Sequence, residues 1–210
     1  MTRANAEQGL AVGAVILAAG RSSRMGQAKL LLPWGQTSVL GHLLAQWREL
    51  GAGQIAVIAA ADDPPLHGEL ERLGFPASER IDNPAPERGM FSSVQCAARW
   101  PGWKASLTHW AIVLGDQPHL RLETLRTLLA FGAARPGTVC QPARGGRLRH
   151  PVLLPAPVFA RLAATTAADL KQFLSACPVA ACEVDDQGLD LDIDRPEDYA
   201  RALSIRLADG

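Results

Sequence analysis

Apolar runs that begin or end at glycine or polar residues recur along the chain, at residues 12–18, 54–60 and 110–114. A continuous apolar run of this length is typical of a strand buried on both faces, as in a parallel sheet. Segments with apolar residues at helical spacing separate the runs, and the first of them, residues 39–50, ends at Gly51. Shorter patterns predict strands at 139–141, 152–154 and 181–184, and helices at 64–73, 90–100, 122–130, 156–162, 167–174 and from 196 onward. This alternation predicts an α/β fold, a single-domain three-layer α/β/α arrangement with a mostly parallel, Rossmann-like sheet.

Composition narrows the class of protein. The 210 residues carry 21 basic and 21 acidic side chains, so the formal net charge is zero, which argues against nucleic acid as a partner. The longest apolar run is far shorter than a membrane span, and we expect no membrane association and a cytoplasmic location. Four scattered cysteines predict neither a disulfide framework nor a metal site. Residues 1–10 are polar and aperiodic, and we expect a loose start to one domain over 1–210.

The loop after the first predicted strand combines glycines with cations. Gly20 and Gly26 allow backbone amides to approach an anion, and Arg21, Arg24 and Lys29 add three positive charges. This combination suits a triphosphate, although a solvated surface loop would carry the same residues. The loop lacks both the Gly-Lys-Ser/Thr of a P-loop and the spacing of a dinucleotide fingerprint, so we exclude both kinds of nucleotide site.

Carboxylates follow or precede other predicted elements. Asp116 comes directly after the buried run 110–114, at the edge of the sheet where ligands of such folds bind. Asp190, Asp192 and Asp194 would share one face if their segment is extended. Carboxylates at such positions can hold Mg²⁺ together with substrate phosphates, although a turn or a helix cap would also explain them.

The segment LAAGRSSRMGQAK resembles the signature of the MobA-like nucleotidyltransferases, and within them the molybdenum cofactor cytidylyltransferase group. The resemblance continues, in the family's order, through NPAPERGMFSSVQCA, GDQP, RHPVLLP and DIDRPEDY, over about residues 12 to 204. It implies a fold of the nucleotide-diphospho-sugar transferase type. The implied activity is Mg²⁺-dependent transfer of a nucleoside monophosphate, from CTP in particular, to a phosphate-bearing acceptor such as molybdopterin.

The resemblance also implies roles for individual residues. The nucleotide would contact Leu17, Ala18, Ala19, Gly20, Ser22, Arg24, Lys29, Ser92 and Gln117. Lys29, Arg24 and Asp116 would be catalytic, and Asp116 and Asp194 would bind Mg²⁺. Arg149, His150 and Lys171 would lie on the acceptor side.

Residues 165–171 depart from the family pattern. The cytidylyltransferase group carries a Gly-Asp-x-Gly-Ala-Arg stretch there, whereas this chain has no glycine and places Lys171 near the arginine's position. Two alternatives therefore remain open. One is a cytidylyltransferase for a sugar or polyol phosphate. The other is an accessory protein that binds cofactor or nucleotide without turnover and serves a molybdoenzyme or its chaperone.

Overall fold

The computed structural model describes residues 10–20 and 25–208. Its strands are β1 (Val12–Leu17), β2 (Pro33–Trp34), β3 (Thr37–Ser38), β4 (Gln54–Ala60), β5 (Arg80–Asn83), β6 (His109–Leu114), β7 (Val139–Arg144), β8 (Arg147–Leu148), β9 (Val152–Pro155) and β10 (Val179–Glu183). Its helices are α1 (Val39–Glu49), α2 (Pro64–Arg72), α3 (Met90–Arg99), α4 (Leu122–Ala133), α5 (Ala156–Arg161), α6 (Leu170–Leu174) and α7 (Pro196–Ala208). The predicted loose start lies, apart from Leu10, outside the described residues.

The main sheet has the strand order β10-β7-β9-β6-β1-β4-β5, with β8 paired to β7. Strands β6, β1, β4 and β5 run parallel, as do β7 and β10, which confirms the predicted parallel character. Two strands depart from this direction: β9 pairs antiparallel with both β6 and β7, and the short β8 pairs antiparallel with β7. The start of β9, rather than its end, therefore lies beside the carboxyl ends of β6 and β7.

Alternating residues of the central strands enter two separate cores. Ala14 and Ile16 of β1 belong to the core beneath α1, α2, α4 and α7, whereas Val15 belongs to the core beneath α3, α5 and α6. All three side chains are fully buried, so β1 is covered on both faces. This arrangement confirms the predicted three layers, and it explains why the strand reads as a continuous apolar run.

The helices begin and end at local signals. The Ser38 hydroxyl accepts a hydrogen bond from the Gly41 amide at 3.0 Å and caps α1, and Gly51 ends the helix with φ of +76°. The helix predicted over 167–174 begins only at Leu170, because Asp169 caps it through the Gln172 amide. Among residues 10–20 and 25–208, no helix combines the length and the apolarity that crossing a bilayer requires.

Two buried histidines make stability depend on pH. His109 begins β6 and His119 follows it, and burial lowers the pKa of both rings. Below about pH 6.5 these rings bind protons more readily in the unfolded chain than in the folded chain. The free energy of unfolding therefore falls as pH falls. We expect the free energy of unfolding to fall by up to about 1.4 kcal/mol per pH unit for each ring below about pH 6.5. Urea unfolding at about pH 7.5 and about pH 5.5 measures it, and equal stability at the two values would contradict the expectation.

Candidate active site

Three side chains from distant parts of the chain meet at the carboxyl edge of the sheet. Lys29 lies in a short 3₁₀ turn after the first loop, Asp116 follows β6, and Asp194 precedes α7. The Lys29 Nζ atom lies 2.6 Å from Asp116 Oδ2 and 3.4 Å from Asp194 Oδ1. The side chains of Lys29 and Asp116 are only 17% and 20% exposed, so this charge pair is largely shielded from water.

Gly115 permits the loop after β6 to approach the end of β1. A Cβ atom at this position would lie 2.7 Å from the Leu17 carbonyl oxygen and 2.8 Å from Leu30 Cδ2. No side chain fits there, so only glycine lets Asp116 emerge beside Leu17 and opposite Lys29. No local pattern marks Gly115, because its close contacts come from elements remote in sequence.

The carboxylates offer oxygen ligands to a divalent cation. Asp116 Oδ1 is buried and has no hydrogen-bond partner among the described residues, and Oδ2 contacts the Lys29 ammonium. Among those residues no group of three or more His, Cys, Asp or Glu side chains forms a ready metal cage. Mg²⁺ commonly binds through one or two carboxylates and substrate phosphates, so Asp116 and Asp194 fit its requirements.

Asp192 adds a third carboxylate beside this pair. Its Oδ1 accepts a hydrogen bond from Gln117 Nε2 at 2.9 Å, and the next amide, Ile193, donates to the Asp116 carbonyl at 3.1 Å. Burial raises the pKa of the Asp192 carboxyl above its usual value, and the negative charge of Asp116 raises it further. The site therefore gathers negative charge that a bound cation would relieve. The signal in the sequence was the spacing of Asp192 and Asp194.

Asp190 does not join this group, contrary to the expectation that Asp190, Asp192 and Asp194 share one face. It ends a 3₁₀ turn over Gln187–Asp190, which breaks the two-residue alternation. Its carboxylate binds Arg144 and Arg149 instead.

Two cavities meet at the loop after β1. The first, of about 620 Å³, lies beside β4 and β5 and is called here the β4–β5 cavity; Asp62, Asn83 and Glu87 help to line it. The second, of about 350 Å³, is called the central cleft, and it extends to Lys29 and Asp116. Residues of the predicted nucleotide-binding set line these cavities: Leu17, Ala18, Ala19 and Gly20. Ser22 and Arg24, also predicted there, lie outside the described residues, as does Arg21.

Ser92 and Gln117 use their polar atoms internally. The Ser92 hydroxyl accepts from Asn83 Nδ2 at 2.8 Å and donates to the Gly89 carbonyl at 2.8 Å, which fixes the turn before α3. Its neighbour Ser93 lines the central cleft. The buried Gln117 amide donates to Asp192. A direct contact of Ser92 or Gln117 with nucleotide stays a prediction.

The residues predicted on the acceptor side divide between two places. His150 and Lys171 line a largely apolar cavity of about 780 Å³, called here the β9–α6 groove, which reaches Met90. Met90 also lines the central cleft, so it stands between groove and cleft. Desolvation lowers the pKa of His150, which keeps its ring neutral. Arg149 instead pairs with Asp190, and its role toward an acceptor stays a prediction.

Comparisons with known proteins identify the family of the chain. Residues 14–181 match the family model of the MobA-like NTP transferase domain. The molybdenum cofactor cytidylyltransferase of Escherichia coli (strain K12) is 27% identical over 194 residues, which cover 91% of this chain and 95% of that enzyme. The molybdenum cofactor guanylyltransferase of Mesorhizobium japonicum is 32% identical over 145 residues, covering 67% of this chain and 64% of that one.

A solved structure shows a similar fold. Rv0371c from Mycobacterium tuberculosis H37Rv, crystallised as a complex with manganese, aligns with a TM-score of 0.68 and 26% identity. The alignment covers 93% of this chain and 99% of that one. With the family model matching most of its length, the chain belongs to the MobA-like NTP transferase family and is a nucleotidyltransferase.

Proposed function

We propose that this nucleotidyltransferase uses CTP and Mg²⁺ and transfers cytidine monophosphate to a phosphate-bearing acceptor, with molybdopterin as the favoured acceptor. The observation that carries the proposal is the Lys29 ammonium held between Asp116 and Asp194 at the mouth of the central cleft. A cation and two carboxylates beside a nucleotide-sized cavity are the parts that phosphoryl-transfer sites require.

The reaction needs positioning and charge neutralisation more than a strong base. An oxygen of the acceptor phosphate forms a bond to the α-phosphorus of CTP, and the bond between the α-phosphorus and its bridging oxygen breaks. Pyrophosphate leaves with the electron pair. Because a phosphate monoester is already anionic near pH 7, no residue must remove its proton. Lys29 supplies positive charge beside the reacting phosphates, and Asp116 holds its ammonium in place.

Asp116 and Asp194 are the residues we propose for binding Mg²⁺. Two observations support this assignment: Asp116 Oδ1 has no hydrogen-bond partner within residues 10–20 and 25–208, and negative charge gathers around Asp192. The manganese complex of the similar M. tuberculosis protein supports a divalent cation in this fold. Bound there, Mg²⁺ would neutralise charge on the triphosphate.

The β9–α6 groove is our candidate for the acceptor. It opens beside Met90, which also faces the central cleft, so an acceptor phosphate can reach the nucleotide from this side. His150 and Lys171 offer polar contacts within an otherwise apolar lining. Lys171 near the place of the family's arginine supplies a cation for a phosphate group.

A screen for pyrophosphate release tests the proposal. The four ribonucleoside triphosphates are each combined with Mg²⁺ and with molybdopterin, sugar phosphates or polyol phosphates. We expect release with CTP and molybdopterin. Release only with a sugar or polyol phosphate would overturn the choice of acceptor, and nucleotide binding without release would favour an accessory role.

Ala19 is expected to limit the size of the base. It is 7% exposed and lines both the β4–β5 cavity and the central cleft, so its methyl group occupies space that a purine would need. We expect Ala19→Gly to raise the GTP:CTP ratio of kcat/KM by about tenfold or more, the effect of one methyl group in a fitted pocket. Steady-state kinetics with both nucleotides measure the ratio. Ala61→Gly is the matched control, because Ala61 lines the β4–β5 cavity but not the central cleft. An unchanged ratio in Ala19→Gly would contradict this explanation.

A further inference from the structure

The segment that delivers Asp194 to the site contains little regular structure. Residues 186–194, called here the 186–194 segment, form only the 3₁₀ turn Gln187–Asp190 before α7 begins. Asp194 must nevertheless stay opposite Asp116 to share a cation with it. Interactions outside regular secondary structure must therefore hold the segment in place.

His119 is bonded to this segment at two points. Its Nε2 atom lies 3.0 Å from the Gly188 carbonyl oxygen and 3.1 Å from the Leu191 carbonyl oxygen. Because both partners are acceptors, Nε2 must carry the proton and donate. The ring is 4% exposed, and its burial lowers its pKa, so it acts as a neutral donor.

Asp186, at the beginning of the segment, accepts hydrogen bonds from residues outside it, whereas His119 donates hydrogen bonds to the segment. Its carboxylate, 1% exposed, accepts from the Thr124 hydroxyl at 2.7 Å and from the Arg121 amide at 3.1 Å. Gly188 lies between the two anchors, and a Cβ atom there would be 3.0 Å from both His119 Cδ2 and Asp186 Oδ1. The segment is therefore closely packed against the residues after β6 and the start of α4.

The end of the segment is joined to Asp116 itself. The Ile193 amide donates to the Asp116 carbonyl at 3.1 Å, and Gln117 donates to Asp192. His119 follows Asp116 by three residues, and its partner Leu191 precedes Asp194 by three residues. A shift of the His119 contacts would consequently change the separation of the two carboxylates.

We propose that His119 is a positioning residue for the metal-binding carboxylates, acting through the hydrogen bonds from Nε2 to Gly188 and Leu191. This inference rests on the proposed function, since it assigns a purpose to the spacing of Asp116 and Asp194. His119 is not among the described residues that line the β4–β5 cavity, the central cleft or the β9–α6 groove, and it lines instead a separate cavity beside α1 and the start of α4. The proposed role requires no contact of His119 with substrate.

Two substitutions separate the hydrogen bonds from general packing. His119→Leu removes the donor, whereas His119→Gln places an amide nitrogen near the position of Nε2. His109→Leu is the matched control, because His109 is equally buried but lies at the other end of β6. If His119→Leu fails to fold, His119→Asn replaces it, because the shorter amide falls short of both carbonyls.

The first measurement is Mn²⁺ binding in the presence of CTP and without acceptor, and electron paramagnetic resonance detects the bound ion. We expect His119→Leu to weaken Mn²⁺ binding by about tenfold or more, the usual effect of losing a residue that orients metal ligands. We expect His119→Gln to bind within about threefold of the wild type and His109→Leu to be unchanged. Equal binding by His119→Leu and wild type, or an equal loss in His109→Leu, would overturn the proposal.

The second measurement separates this proposal from the proposed function. Hydrogen exchange of peptides covering residues 186–195 should become faster in His119→Leu and stay unchanged in His109→Leu. Failure of the wild type to bind Mn²⁺ with CTP would refute the proposed metal-dependent reaction. Unchanged exchange over 186–195 in His119→Leu would refute the positioning role, whatever the metal result.

Discussion

Asp116→Asn lowers kcat by about 10²–10³-fold, we expect, with little change in the fold. The amide oxygen can still accept the hydrogen bond from Lys29, but the negative charge is lost, and so is the second carboxylate oxygen, Oδ1, that a cation could bind. Mn²⁺ binding, both with CTP and without nucleotide, should therefore weaken together with turnover. The measurements are pyrophosphate release with the acceptor identified by the screen, and Mn²⁺ titration.

Glu49→Gln is the control for this substitution. Glu49 is exposed on α1 and pairs with Arg126 at 3.1 Å, so its neutralisation removes a carboxylate from a surface ion pair. We expect activity close to that of the wild type. Turnover of Asp116→Asn within about tenfold of the wild type would remove Asp116 from the metal-binding role.

Lys29→Met is expected to reduce kcat by a similar factor, about 10²–10³-fold, but to affect metal binding in the opposite direction. Without the ammonium, Asp116 and Asp194 lose a shared positive charge that lies 2.6 Å and 3.4 Å from their oxygens. A divalent cation no longer competes with that ammonium, so Mn²⁺ should bind more tightly in the absence of nucleotide. Tighter Mn²⁺ binding in Lys29→Met and weaker Mn²⁺ binding in Asp116→Asn would distinguish the loss of the Lys29 positive charge from the loss of a metal ligand.

Lys104→Met provides the matched control. Lys104 donates through Nζ to the Gly53 carbonyl near the amino ends of β1 and β4, far from the carboxyl edge. We expect its turnover and Mn²⁺ affinity to match the wild type. Retention of wild-type turnover in Lys29→Met, or weaker Mn²⁺ binding, would contradict the role given to Lys29.

The sequence predicted the strands better than their directions. Strand β1 could be recognised because Ala14, Val15 and Ile16 are buried on both faces, and a run of apolar residues records that burial directly. The reversed direction of β9 could not be predicted, because the direction of a strand depends on the strands that it pairs with and not on its own pattern of apolar residues. The prediction that Asp190 shares a face with Asp192 and Asp194 was wrong for a related reason, since Arg144 of β7 and Arg149 in the loop before β9 bind Asp190.

Within the site, residues at strand ends were predictable and residues that hold loops together were not. Asp116 was identified because it follows a buried run, and Lys29 because it closes a glycine-rich, cationic loop. His119 directly follows the GDQP segment, which is a signal for a place near the site, but its partners Gly188 and Leu191 could not be predicted because only folding brings them to it. The same applies to Asn83, whose amide binds two hydroxyls of α3.

The reversed strand β9 separates two tasks that a wholly parallel sheet would combine. Because its first residue lies near the site, the turn between β7 and β9 carries His150 toward the groove that we propose for the acceptor, while the residues that we propose for the nucleotide lie mainly on the loops after β1 and β6. Changes in length or sequence within that turn can therefore remodel which molecule receives the nucleotide and leave the handling of the donor intact. With such a division, the acceptor side of this fold can change its specificity while the nucleotide side stays the same.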